Sequence, residues 1–498
     1  MKKIKKATAS RHPDWAVKHK RPGTEIRLIK GHYYLYAITS KWNSEKRRPV
    51  KKTIGILGKI TEAGFVESEK HQLKRKKLVI KQVWQREFGF THFLQTYLND
   101  TVVQLQQHFP DTWQTIVAMS FCRFVYQSPL KNMDFRFRHS YLSEMYSEVN
   151  LDKDHLTIFI RQLGEQREQI RNYFNSFWNN DKRSVLFDVS SITSQSRRME
   201  TFPHVGYNNN KNFDPQLNIM LIHSVEQRMP LYYRILPGNI REVKAFSLSL
   251  KEFGKKADVT VITDKGFYSN KNLEEMKTEG IRYIIPLRRN VSVIDYSKLQ
   301  PGLSYEKLDG YFSFEKRIVW YYTLNTEWGS LYVYTDDFLK AEEQRDYLMR
   351  IEKYPDKYTL EQYHQKQSQF GTIALLTNGK TTAPETYENY KSRNEIEILF
   401  DAYKNILHAD KTYMQNDIAI DAWMFINFIA IQWYYITFNL LKKYKLNKTY
   451  APMDLMMRLT EIKKLKINDQ WYLTEATHAT VNLLDKLKIT NLFPKKGS

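Results

Sequence analysis

The chain of 498 residues contains a single cysteine, Cys122. It can therefore form no internal disulfide and no zinc site built from cysteines, and one thiol agrees with a reducing cytoplasm. The first fifteen residues are basic and lack the apolar run of a signal peptide, so we expect a cytoplasmic protein. Only residues 422–441 reach membrane-spanning length. Asn427, Gln432 and Thr437 interrupt that run, so we expect a buried core helix there.

Acidic residues are scarce in the first 80 positions, where 6 Asp and Glu stand against 22 Lys and Arg. This difference of +16 accounts for most of the net charge of +23. Concentrated positive charge attracts a polyanion, and DNA or RNA is the usual one. The same charge can also serve solubility alone. A basic patch closes this region and supplies candidate DNA contacts at Lys74, Arg75, Lys76 and Lys77.

The length indicates two to four domains, and 42% hydrophobic residues suffice for packed cores. Segments 27–39 and 49–60 are strand-like and are joined by a polar turn, whereas residues 82–178 have helical spacing. From residue 184 three strands are followed by alternating helix and strand, which is typical of an α/β core within a multi-domain α+β protein. We divide the chain into 1–80, a basic β-unit expected to bind DNA; 81–180, helical; 181–290, the first part of the core; 291–380, a β-rich insertion; 381–440, the second part of the core; and 441–498, a helical C-terminal region.

The most informative segment runs from Tyr390 to Lys404. On one ideal helix, Tyr390, Arg393, Glu397 and Lys404 fall within an arc of about 60°, beside an apolar stripe. A carboxylate flanked by two cations and a phenol combines metal binding with phosphate binding, as DNA strand cleavage requires. Glu395 lies near 140° on the same helix, far from this arc, and is rejected as the acid.

Two aspartates complete a candidate constellation with Glu397. Asp188 lies within a buried strand, where an ionised carboxylate is costly unless it has a partner. Asp264 ends a second buried strand before Lys265 and Gly266, at a sheet edge of the kind that binds ligands. Three carboxylates suit two Mg²⁺ or Mn²⁺ ions in phosphoryl transfer. Each acid alone also has a structural explanation: backbone hydrogen bonds for Asp188, a turn for Asp264 and a pair with Arg393 for Glu397.

The pattern Y-x2-R-x3-E-x6-K resembles the signature of a large group of bacterial insertion-sequence DDE transposases, and all four positions match. FDVSSIT resembles the first-acid strand of that family, and VTVITDKGFYSNKNLEEM resembles its second-acid block. MPLYYRILPGNIREVKAF resembles its P…GN…E segment. The similarity covers residues 184–290 and 371–440. HVGYNNNKNFDPQ departs from the family's G-Y-[SN]-K-D loop, because the lysine is displaced.

The resemblance implies an RNase H-like mixed sheet in which Asp188, Asp264 and Glu397 bind two divalent metal ions. It also implies a transposase that binds the terminal inverted repeats of its element as a homodimer and transfers the cleaved strands to target DNA. The helical C-terminal region is then a candidate dimer contact, and the protein would associate with the nucleoid. By the same resemblance Tyr390, Arg393 and Lys404 contact DNA phosphates. Related enzymes hold a flipped base with an insertion-domain tryptophan, for which Trp320 is the first candidate and Trp328 the second.

Two other functions agree with the same residues. One is an RNase H-like DNA nuclease that cuts without joining. The other is a DNA-binding regulator whose acids serve only structure. The regulator explains the basic charge but gives no reason for three acids together with the Arg393 and Lys404 pair.

Overall fold

A computed structural model describes residues 11–43, 47–69, 82–177, 183–196, 198–199, 201–203, 215–238, 259–489 and 492. The chain forms two compact units: Met1–Val83 with Lys466–Gln470, and Trp84–Leu465 with Trp471–Ser498. Our finer division into six regions stays a prediction. Several expected features lie outside the described residues: Lys74 to Lys77, the displaced lysine of the 204–214 loop, and the helix expected over 241–253.

The first unit is a β-sheet with one short helix, α1 (Asp14–Val17). Its antiparallel strands run in the order β1 (Thr24–Ile29), β2 (His32–Asn43), β3 (Arg48–Thr61) and β4 (Gly64–Glu67). Segment 27–39, predicted as one strand, is instead the end of β1 and the start of β2. Lys30 and Gly31, both at positive φ, make the tight turn between them. Four buried side chains form the small core: Ala16, Ile26, Leu35 and Ile60.

Strand β5 (Val83–Glu87) leads into the second unit, where helical spacing had predicted a helix. The helical layer predicted for this part of the chain follows it. The helices are α2 (Gly89–Tyr97), α3 (Asn99–His108), α4 (Trp113–Tyr126), α5 (Met133–Arg138), α6 (Leu142–Met145), α7 (Lys153–Glu165) and α8 (Arg167–Ser176). Helix α4 is buried along most of its length because its apolar residues surround the whole helix.

The central sheet carries the predicted core. Its strands are β6 (Arg183–Ser194), β7 (Gln216–Ser224), β8 (Met229–Pro237), β9 (Val259–Ile262) and β10 (Arg282–Leu287), and helix α9 (Asn270–Thr278) joins the last two. They lie in the order β8-β7-β6-β9-β10, with antiparallel pairs up to β6 and parallel pairs beyond it. This order and polarity are those of an RNase H-like sheet, so the predicted fold class is confirmed.

The insertion extends this same sheet. Strands β11 (Gly310–Phe314), β12 (Arg317–Thr326) and β13 (Gly329–Asp336) join β14 (Thr372–Thr377), which pairs with β10. Helices α10 (Asp337–Lys353) and α11 (Leu360–Gln365) lie between β13 and β14 in the chain. A β-rich segment was expected here, and it forms antiparallel strands that continue the sheet.

The remaining elements return to the core. Helices α12 (Ala383–Lys391) and α13 (Asn394–Asp401) precede β15 (Lys411–Thr412), which pairs with β6. The chain ends with α14 (Asp417–Lys443), α15 (Pro452–Glu461), strands β16 (Lys463–Ile467) and β17 (Gln470–Leu473), and α16 (His478–Lys486). The two strands correct the prediction that residues 441–498 are helical throughout.

Helix α14 is the apolar stretch considered above as a membrane span. Among the described residues it is the only helix long and apolar enough to cross a membrane, and 78% of its most apolar window is buried inside the protein. Its polar residues have partners within the protein: Arg123 donates to Asn427, and Tyr173 donates to Gln432. It therefore packs as a core helix, as predicted.

Candidate active site

Strand register places the two aspartates side by side. In the parallel pair β6 and β9, Leu186 lies opposite Ile262. Asp188 and Asp264 each follow that level by two residues, so both side chains reach the same edge of the sheet. Asp188 and Asp264 are 76 residues apart in the chain, but they are carried by neighbouring strands of the sheet.

Asp188 is the more enclosed aspartate, with 20% of its side chain exposed. Burial raises the pKa of its carboxyl to about 6. A hydrogen bond from the Val189 amide (2.9 Å) and the nearby Arg393 oppose this rise, whereas Asp264 and Glu397 add to it. The carboxylate charge is therefore held in a poorly solvated position, as expected for a group that needs a cation.

Asp264 stands where the chain leaves β9. Its carboxylate accepts a hydrogen bond from the Lys265 amide (2.6 Å) and caps the short turn Lys265–Phe267. Phe267 is buried in edge-to-face contact with Phe187, the neighbour of Asp188. This aromatic pair fixes the turn after β9 against β6, so the predicted turn role and an acid at the sheet edge are both present.

The segment that carries Glu397 is not the single ideal helix we predicted. After α12 the bonds shorten to the i+3 pattern, because Arg393 N donates to Tyr390 O and Glu395 N donates to Ser392 O. After α13 they lengthen to a π-turn over Ala402–Ile406. The predicted arc assumed 3.6 residues per turn throughout, and neither local change is visible in apolar spacing.

One guanidinium joins the three acids. Arg393 Nη2 lies 3.7 Å from Asp188 Oδ2 and 3.7 Å from Asp264 Oδ1, and Nη1 donates to Glu397 Oε1 at 3.0 Å. A guanidinium spans only a few ångströms, so carboxylates from two strands and a helix converge on a single point. Arg393 Nε is buried and has no acceptor among the described residues. The cation is thus shared by three acids while one of its donors is unused.

Lys404 and Tyr390 lie beside this cluster. Lys404 Nζ donates to Ser190 Oγ at 2.6 Å, and Ser190 is on the same face of β6 as Asp188. Burial lowers the pKa of Lys404, although Asp410 and Asp188 oppose that effect. Burial raises the pKa of Tyr390. The charge of Arg393 lowers this pKa, whereas the charges of Asp264 and Glu397 raise it. The four residues of the predicted signature therefore surround one place.

Comparison with known proteins identifies the family of this chain. The family model described as "Transposase DDE domain" matches residues 179–433, about half of the chain. The chain belongs to the DDE transposase family. The more specific group defined by Y-x2-R-x3-E-x6-K, and its bacterial insertion-sequence origin, stay a resemblance. Among curated protein sequences, none matches this chain.

Two solved transposase structures are similar at low identity. One is a piggyBac transposase synaptic complex with hairpin DNA, with 9% identity, a TM-score of 0.37, and coverage of 83% of this chain and 86% of that chain. The other is a Mos1 transposase paired-end complex with the left transposon end, with 12% identity, a TM-score of 0.15, and coverage of 32% and 53%.

The donor chemistry of this candidate site fits hard divalent cations. Three carboxylates face one guanidinium within 4 Å, which leaves an excess of negative charge where oxygen ligands converge. Within the described part of the chain, no three acidic, histidine or cysteine side chains are close enough together to hold a metal ion as they stand. The Arg393 side chain lies among the three acids, so closing them around metal requires that it move.

The two tryptophans considered for base holding lie at opposite edges of the sheet. Trp320 is paired with Thr335, and Thr335 with Thr372, at the edge to which β9 carries Asp264. Trp328 lies in the β12–β13 turn at the other edge, where its carbonyl accepts a hydrogen bond from Tyr283. Trp320 contacts Tyr305 and Tyr311, with ring centroids 5.2 and 4.9 Å away. It therefore belongs to an aromatic group at the edge where the acids lie.

Sequence reasoning missed two residues that support the site. Ser190 holds Lys404, and its position two residues after Asp188 on a strand is a signal that could have revealed it. Arg123, from helix α4, is buried and donates to the carbonyl oxygens of Gln127, Ser128 and Leu407. The bond to Leu407 fixes the end of the π-turn that carries Lys404, and no sequence pattern connects positions so far apart.

Proposed function

We propose that this transposase binds the terminal inverted repeats of its own element, cleaves DNA there and joins the freed strand to target DNA. The observation that carries the proposal is the contact of one guanidinium, Arg393, with Asp188, Asp264 and Glu397. A structural role for each acid alone does not explain why three remote carboxylates share one cation beside a second, buried one.

In this proposal Asp188, Asp264 and Glu397 hold two Mg²⁺ or Mn²⁺ ions. When bound, such ions activate the attacking oxygen and stabilise charge on the scissile phosphate. Asp188 and Asp264 are held by strand and turn, so they supply fixed oxygens. Glu397, with 59% of its side chain exposed, is the adjustable one. The nucleophile is first water and then the freed 3′-hydroxyl, so no protein side chain forms a covalent intermediate.

Arg393 connects DNA binding to this site. In the free protein its guanidinium neutralises the three acids, and a DNA phosphate offers it an alternative partner with the same planar geometry. Its unused Nε–H is one donor for that phosphate. The carboxylates are then released from the guanidinium when DNA arrives, while Lys404, held by Ser190, and Tyr390 contact neighbouring phosphates.

The remaining assignments follow the same proposal. Trp320 is the candidate for holding an unstacked base at the acid edge of the sheet. Lys74, Arg75, Lys76 and Lys77 contribute to DNA binding by the basic N-terminal region. Cleavage of two paired ends requires a homodimer, and the C-terminal region 441–498 is the candidate contact.

The test uses the full chain, Mg²⁺ and a duplex that carries the two ends of the encoding element. We expect excision and strand joining from the wild type. Asp188→Ala, Asp264→Ala and Glu397→Ala each lower cleavage by at least ~10³-fold, because metal ions contribute several kcal/mol to such transition states. Binding to the ends stays nearly intact, since the acids hold metal rather than DNA.

Glu395→Ala is the matched control, because it removes an acid from the same helix at a position rejected for catalysis. It should cleave like the wild type, and Mn²⁺ binding measured by electron paramagnetic resonance should fall only in the three site variants. Near-normal cleavage by any of those three removes that residue from the site. Cutting without joining favours the nuclease, and binding without any cleavage favours the regulator.

A further inference from the structure

A two-stranded ribbon projects from the N-terminal sheet. Strand β1 pairs with β2 only as far as Ala37, and β4 pairs with β3 only from Gly58 onward. Beyond these limits, residues 38–43 of β2 pair with residues 48–53 of β3 and with no other strand that the structure describes. We call this pair of segments the ribbon. Its six residue pairs extend for about 17 Å at the rise of an antiparallel strand.

Two irregularities at the base of the ribbon set the direction in which it extends. The β2–β3 register shifts twice, between Leu35 and Tyr36 and between Ala37 and Ile38. Such bulges increase the local twist and re-aim a strand pair. Arg27 ties the base to β1, because its Nη2 donates to Thr53 Oγ1 at 2.7 Å while the guanidinium lies over the Tyr36 ring.

The ribbon has no core of its own. Residues 48–54 are all exposed, and Trp42 is 69% exposed opposite Pro49. A solvated strand pair of this length gains little from burial, so folding alone gives no reason for it. Lysines can protect such an edge against aggregation, but that role does not require cations on one particular face.

The charges on the ribbon are of one sign and are sorted by face. Residues directly opposite in an antiparallel pair share a face, so the pairing places Lys41, Arg48 and Lys52 together. Lys51 lies on the other face with Trp42, and Glu25 is 3.7 Å from it. Among the described ribbon residues there is no acid. Lys52 and Arg48 are about 13 Å apart along the strand, close to the ~12 Å width of the major groove of DNA.

We propose that the ribbon inserts into the major groove of duplex DNA, with Lys41, Arg48 and Lys52 on the phosphates that border it. A two-stranded β-ribbon fits this groove and is too broad for the minor groove. The inference rests on the proposed function, since it names the element with which the transposase holds its DNA. It assigns the contact to one face of the ribbon rather than to the basic region in general.

The test compares two triple variants of the full chain on a labelled duplex carrying the element ends. Lys41→Gln with Arg48→Gln and Lys52→Gln removes the ribbon face, whereas Lys18→Gln with Lys20→Gln and Lys30→Gln removes three exposed cations elsewhere in the same unit. The slope of log affinity against log salt should become shallower by 2 to 3 in the ribbon variant, at ~0.9 per lost phosphate contact. The control should lose less than ~1.

Guanine N7 methylation, which blocks the major groove, should weaken wild-type binding, and a minor-groove drug should not compete. Equal slopes for the wild type and the ribbon variant, or equal losses in both variants, overturn the ribbon proposal while leaving the transposase proposal in place. Competition by the minor-groove drug alone overturns the groove assignment. A wild type that fails to bind duplex DNA at all removes both proposals.

Discussion

The N-terminal region and the rest of the chain differ in net charge and in how their charged side chains are exposed. The first 80 residues carry +16, and the remaining 418 carry only +7 of the total +23. In the N-terminal unit the ribbon cations are exposed to solvent, where salt screens them. In the larger unit Asp188, Arg393 and Lys404 are largely enclosed and contact one another or a neighbouring hydroxyl. Exposed charge suits capture of a polyanion, and enclosed charge suits a defined geometry.

The hydrophobic cores of the two units also differ, in size. Four buried side chains hold the N-terminal sheet, whereas the larger unit has a continuous core that includes both faces of the central sheet and helix α14. A small core leaves little stability in reserve. We therefore expect salt and single backbone changes to affect the first unit most, and pH or the loss of buried polar groups to affect the second.

The largest effect on stability should come from Arg123→Met. The buried guanidinium donates to Asn427 Oδ1 at 2.7 Å and to three carbonyl oxygens, and methionine leaves these acceptors unpaired. We expect the free energy of unfolding of the larger unit to fall by about 4 kcal/mol in urea denaturation. Arg136→Met, which removes an exposed guanidinium over the Tyr126 ring, should cost less than ~1 kcal/mol. Equal losses would show that Arg123 only packs.

How much of this could be predicted from sequence depends on the residue. Asp188 and Asp264 could be predicted from the sequence, because buried strands have continuous apolar runs in which a single acid is conspicuous. The Lys30–Gly31 turn was missed because lysine rarely adopts positive φ, so segment 27–39 looked like one strand. The sequence predicted that Arg393 lies near the three acids, but it did not predict the direct contacts. Those contacts depend on the π-turn and on the shortened hydrogen-bond pattern near Arg393, which are set by tertiary packing and not by local sequence.

A second effect should depend on pH. Burial raises the pKa of Glu87 to about 8, although the Phe90 amide and Thr91 hydroxyl donate to its carboxylate. The folded state then holds a proton that the unfolded state releases near pH 4.5, so stability falls as pH rises from about 4.5 to 8. Glu87→Gln keeps an acceptor and removes the charge.

This variant should match the wild type at pH 5 and exceed it by about 4 kcal/mol at pH 8.5, from the usual energy of a pKa shift. The measurement is urea denaturation at both pH values. A constant difference between wild type and variant at the two pH values would mean that Glu87 does not titrate in this range, and that buried charge does not make the larger unit sensitive to pH.

The smallest of these effects tests the reserve of the N-terminal unit. A Cβ at Gly58 would lie 2.2 Å from the Val66 carbonyl oxygen and 2.6 Å from the Phe65 ring, whereas at Gly55 of the same strand nothing lies within 4 Å. Gly58→Ala should therefore destabilise the sheet by about 2 kcal/mol, and Gly55→Ala should leave it nearly unchanged. Amide hydrogen exchange of residues 24–67 reports this directly.

Gly58 is in the part of β3 that pairs with β4, and the ribbon is formed by an earlier part of the same strand. Gly58→Ala should therefore also weaken DNA binding, and the loss should be largest at high salt. The urea transition of the larger unit should not move. If the larger unit lost stability in proportion, the two units would share one core and the contrast between them would fail. If both glycine variants behaved alike, the close approach at Gly58 would not limit the stability of the sheet.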